Sequence, residues 1–239
     1  MSDQILNIPV SQFVTEDYRT ASVFKQYGLD FCCGGKEPLG EACEKNNVDK
    51  AEIVSELQRI VAQPAAGMPR FREWSTDLLI EYIKQNHHSY VRDAIPRISP
   101  FINKIAHRHG DSLPHNVDIA RLFNQLSEEM LDHLKKEEKE QFPLVLSVIE
   151  KQNRGETPNE GEQNKLRQLQ EELEEEHEYA ANLVSEIARL SSNYTPHEGA
   201  CPTYQATYKE LEAFEKDLHH HVHLENNVLF PRALSLITN

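Results

Sequence analysis

The sequence predicts an all-α protein, a four-helix bundle running up-down-up-down behind a small helical N-terminal domain. Three observations lead there. From Trp74 onward, four long segments carry apolar residues at helical spacing: roughly 75–95, 116–140, 163–191 and 203–224, each running a little past these limits. The breakers collect between them, in "HRHGDSLPHN", "KQNRGETPNEGEQN" and "SSNYTPHEGACPT". No segment alternates apolar and polar residues well enough for a strand.

Taken in order, residues 1–61 read as the small helical domain. "TEDYRTASVFKQYG" reads as a helix capped by Thr15, with an apolar face through Val23, Phe24 and Tyr27 and a stop at Gly28. "LDFCCGGKEPLGEACEKNN" reads as a turn carrying Cys32 and Cys33, then one short helix. "DKAEIVSELQRIVAQP" opens on Asp49 with Glu52 at capping-box spacing and ends before Pro64. Residues 62–74, rich in proline and glycine, read as a linker, and 75–239 as the bundle. The acidic run "LQEELEEEHEYAANL" reads as a solvated helix face, His177 excepted.

The balance of charges narrows the functions. With 39 acidic against 25 basic residues the formal charge is −14, which excludes a phosphate-backbone partner and disfavours an anionic membrane surface. No apolar run approaches the ~20 residues that span a bilayer, and "MSDQILNIPVSQF" lacks a signal-peptide layout, so a soluble cytoplasmic protein is expected. Four cysteines are too few for a disulfide scaffold, and reduced thiols are the expectation. Cys43 and Cys201 read as structural.

Two stretches share one pattern, H-x3-E-x4-F-P: "HLKKEEKEQFP" from His133 and "HVHLENNVLFP" from His221. On a helix, residues four apart share a face, so His133 with Glu137 and His221 with Glu225 each point one way. Both pairs lie on apolar stripes: Leu122, Leu126 and Met130 before the first, Leu211, Phe214 and Leu218 before the second. A glutamate placed in a core needs a partner. The remaining helices each supply a histidine, His88 lying 45 residues before His133 and His177 lying 44 before His221. The unit is therefore His…His-x3-Glu, used twice, giving His88, His133, Glu137, His177, His221 and Glu225. A lone helix histidine is most simply a hydrogen-bonded one, but six ligand-type residues repeating in order outweigh that reading. Four imidazoles and two carboxylates exceed the needs of one zinc ion and suit two ions of non-haem iron, manganese being the other candidate. In "HHHVHLE" only His221 lies four before Glu225 on the stripe, whereas helical phase does not separate His87 from His88. Each Phe-Pro pair is expected to bend or stop its helix past the site.

With the two H-x3-E motifs, "YGLDFCCGG" and "HLENNVLFPRAL", the chain resembles the RIC (repair of iron centres) family, di-iron proteins of hemerythrin-like fold that repair iron–sulfur clusters. The resemblance covers residues about 1–60 and 75–236. It implies two non-haem iron ions, oxo- and carboxylate-bridged, held by His88 (rather than His87), His133, Glu137, His177, His221 and Glu225, with both glutamates bridging. It implies Glu129 and Glu176 as supports of the ligand histidines. It gives Cys32 and Cys33 a thiol role, in redox chemistry or transient handling of iron; two small, partly buried residues at a turn is the plainer reading. It implies nitric oxide or O2 as the small ligand, damaged iron–sulfur proteins as clients, nitric oxide reduction as an associated activity, and a homodimer. A non-enzymatic O2 or NO carrier of hemerythrin type is the alternative, and a thiol-based interaction protein with a structural bundle is a third reading. The middle loop, "EKQNRGETPNEGEQN", is longer than the family pattern suggests.

Overall fold

The computed structural model describes residues 2–64 and 69–237. Among these there is no strand, only an isolated bridge between Pro9 and Pro38. Their contacts form two compact units, residues 1–79 with 222–235 and residues 80–221 with 236–239, so that the last helix is divided after His221.

The first unit contains α1 (Ser2–Leu6), α2 (Val10–Glu16), α3 (Ala21–Gln26), α4 (Leu39–Lys45) and α5 (Lys50–Val61). Thr15 is not a cap. It lies in the last turn of α2 with its hydroxyl on the Ser11 carbonyl (2.8 Å), because the helix begins earlier, right after Pro9. Asp17 instead caps the 3₁₀ turn Tyr18–Thr20, accepting from the Arg19 amide at 3.0 Å. Gly28 ends the next helix at φ +67, which glycine adopts without strain. Asp49 caps α5 through the amides of Ala51 (2.8 Å) and Glu52 (3.1 Å), while the Glu52 carboxylate accepts from the Tyr27 hydroxyl. Of the expected linker, residues 65–68 lie outside the described residues; Phe71–Glu73 form a 3₁₀ turn. The Arg232 guanidinium donates to the carbonyls of Phe71, Arg72 and Trp74, at 2.9, 2.7 and 2.7 Å.

The second unit is the bundle. Its helices are α6 (76–109, entering the unit at Ile80), α7 (115–153), α8 (Glu160–Leu190) and α9 (202–235, leaving the unit after His221). Links of only 110–114 and 154–159 force α6/α7 and α7/α8 to run antiparallel. The middle loop is thus short: both helices grow into the predicted loop, and Asn159 and Glu162 close a capping box at the start of α8. The first helix likewise runs through Pro96 and Pro100 to His109, well past its expected end. The core interdigitates side chains from all four helices, Phe123 meeting Phe214 edge-on at 5.5 Å.

Three helices contain a π turn, at Ile83–His88, Glu137–Gln141 and Glu225–Leu229. In the last two, the amides of Phe142 and Phe230 reach back five residues, to the carbonyls of Glu137 and Glu225. This corrects the expected role of Phe-Pro. Neither helix stops: Phe142–Asn153 and Phe230–Ser235 continue as α-helix. The extra residue in the turn relieves the clash that a proline ring makes with the carbonyl four residues earlier.

Candidate metal centre

His133 and Glu137 come from α7, His88 from α6, His177 from α8 and His221 from α9, and all five side chains are buried. The stripe Leu122, Leu126 and Met130 that sets His133 inward is itself buried. Potential ligand atoms of His88, Glu137 and His221 lie within 4.8 Å of one another, and so do those of His133, Glu137 and His177. Glu137 belongs to both sets. Glu225 follows His221 by one turn along α9 and is fully buried.

The outward nitrogens show what faces inward. His88 Nδ1 lies 2.7 Å from Glu138 Oε1, and His133 Nδ1 lies 2.8 Å from Glu176 Oε2. A carboxylate there fixes the proton on Nδ1 and turns the Nε2 lone pair to the centre. The Nε2 atoms of His88, His133 and His221 converge on one oxygen, Glu137 Oε2, at 3.3, 3.4 and 4.0 Å. His177 Nε2 is 2.9 Å from His133 Nε2. Lone pairs gathered in a buried space repel unless positive charge sits among them, so these residues fit a metal cation.

Burial works against ionisation of Glu138, but His88 and Arg92 hold its carboxyl below the ordinary range. The His133 hydrogen bond, helped by Lys136 and opposed by burial, brings Glu176 down to about 2. Glu176 therefore sits against one of the clustered histidines. Glu129 does not: it is exposed on α7 and outside both ligand sets. The support for His88 is Glu138, which sequence reasoning missed. A signal was present, since Glu138 follows Glu137 as Glu176 precedes His177, an acid one step from a ligand and turned to the next helix. His87 was ambiguous for a physical reason: the π turn buries it beside His88. His87 meets Asp217 at 2.9 Å and stacks on the His221 ring, with planes 1° apart and centroids at 5.6 Å.

In the first unit, Asp30, Cys32 and Cys33 form another group whose ligand atoms lie within 4.8 Å. The Asp30 carboxylate accepts from the amides of Cys32 (2.8 Å), Cys33 (3.1 Å) and Gly34 (2.7 Å). The two sulfurs are 3.8 Å apart. Contact with Cys33, then burial, pushes the Cys32 thiol well up, so it is held protonated. The thiol loop is half open: Cys32 is buried and Cys33 partly exposed. Cys43 is buried, but Cys201, read as structural, is exposed ahead of α9.

The bundle and its paired ligand sets define a hemerythrin-type cation-binding protein, and the hemerythrin HHE cation binding domain matches residues 79–233. A domain of unknown function, DUF542, matches residues 6–61. The chain is 31% identical over 224 residues to iron-sulfur cluster repair protein ScdA of Staphylococcus epidermidis, covering 93% of this chain and 96% of that one. It is 32% identical over 216 residues to iron-sulfur cluster repair protein YtfE of Yersinia pseudotuberculosis, covering 90% and 91%. The chain belongs to this family of iron–sulfur cluster repair proteins.

Proposed function

We propose that this protein repairs iron–sulfur clusters damaged by nitric oxide or oxidants, through a pair of iron ions held in its bundle. The observation that carries the reading is the sharing of Glu137 between two histidine sets, which suits two ions joined by one carboxylate. His88 and His221 would hold one ion, His133 and His177 the other, and Glu225, buried one turn beyond His221, would supply a second carboxylate. Iron there would supply electrons and a place for a diatomic ligand such as nitric oxide or O2. The chain's own residues do the rest. Glu138 and Glu176 fix the histidine rings and raise their basicity, and the surrounding core keeps bulk water away. Cys32 and Cys33 serve as a thiol pair for handling iron or electrons. The relatives' names point to damaged iron–sulfur proteins as clients, and free thiols suit a reducing cytoplasm. No described helix is long and apolar enough to cross a membrane.

Anaerobic assay of iron-loaded protein with nitric oxide and an electron donor tests the activity. Nitric oxide consumed over many turnovers, and restoration of activity in a nitrosylated iron–sulfur client, are expected. Uptake of one stoichiometric portion with no repair overturns the reading in favour of a carrier.

A further inference from the structure

The thiol loop is held from the C-terminal end of α9, within the first unit. The Asn227 side-chain amide lies 3.0 Å from the Cys32 carbonyl oxygen, and that of Asn226 lies 3.5 Å from the same oxygen. His223, fully buried, has Nδ1 3.3 Å from Asn227 Nδ2 and Nε2 3.4 Å from Thr15 Oγ1. The Asn227 amide donates to the Cys32 carbonyl, which can only accept. His223 Nδ1 also lies 3.4 Å from the Phe31 carbonyl oxygen, and the Asn227 amide lies 3.5 Å from it, so imidazole, amide and loop backbone meet at one point. The Phe31 ring packs edge-on against the His223 imidazole, centroids 6.0 Å apart. The loop is also tied to α2: the Gly35 carbonyl accepts from the Ser11 amide at 2.8 Å, and a side chain at Gly35 would come within 2.7 Å of Ser11 Cβ.

We propose that Asn227, oriented by His223, is a positioning residue for the thiol pair: its amide latches the Cys32 carbonyl and keeps the Cys32 sulfur closed. Cys32 reacts only when this latch opens. The latch stands on its own, whatever chemistry the thiols perform.

Alkylation of the full-length, metal-free protein by N-ethylmaleimide, followed site by site with tandem mass spectrometry, tests it. Asn227→Ala is expected to speed modification of Cys32 about tenfold or more, the consequence of removing the shorter of the two side-chain hydrogen bonds to its buried carbonyl. The near-isosteric Asn227→Asp, which places an acceptor against that carbonyl, is expected to do the same. Cys43, buried elsewhere in the same unit, is the control: it should keep its wild-type rate. Unchanged Cys32 rates in both variants would overturn the proposal, and so would an equal acceleration of Cys32 and Cys43, which marks general loosening of the unit.

Discussion

At the scale of single residues, the centre is legible because burying glutamate and histidine on an apolar stripe is costly without a compensating charge. Glu137 and Glu225 announce themselves that way, and both are fully buried. The supporting groups do not, because they sit at the margin of the stripe, where a charged residue normally meets solvent. Glu129 and Glu138 look alike in sequence, yet Glu129 faces solvent and Glu138 touches His88. Only the neighbouring helix decides between them. Glu176→Gln is therefore expected to weaken metal binding by roughly ten- to a hundredfold, read by competition with a chelator, since it replaces the charged acceptor that orients His133 with a neutral amide. Glu129→Gln should leave the affinity unchanged.

At the scale of elements, helical periodicity located all four bundle helices but misplaced their ends. The first segment was expected to end a little past residue 95 and each Phe-Pro pair to bend or stop its helix, whereas the helices run on through Pro96, Pro143 and Pro231. The π turns at Glu137 and Glu225 absorb two of those prolines and carry two proposed ligands at their first residue. Nothing in a 3.6-residue period reveals a locally wider turn, which is also why phase could not separate His87 from His88. In the first unit the cap belongs to Asp17 rather than Thr15, and that exchange carries a pH dependence. Hydrogen bonding to Arg19, with burial opposing it, holds the Asp17 carboxyl below its ordinary value. A depressed carboxyl stabilises the fold above the unfolded pKa, about 4, and that contribution disappears as the pH falls below it. Thermal unfolding followed from about pH 5 to pH 3 should show a shallower loss of stability in Asp17→Asn than in wild type.

At the scale of the whole molecule, the duplication is the strongest signal in the chain. Two helix–loop–helix units each give two histidines and one glutamate, and the structure gathers His88, His133, Glu137, His177 and His221 from four separate helices. The thiol loop was visible as "CCGG", but not its attachment to Asn226 and Asn227, which lie almost two hundred residues away in sequence. Long-range contacts of that kind leave no periodic trace. The proposed centre is a pair of metal ions sharing Glu137 within the bundle. Iron content after anaerobic loading of the full-length protein, measured alongside its near-ultraviolet absorption, tests this most directly. Close to two irons per chain in the wild type, with both iron and absorption lost in Glu137→Ala, is the predicted result. A wild-type protein that retains one iron or none, or a Glu137→Ala variant that keeps both, would contradict it.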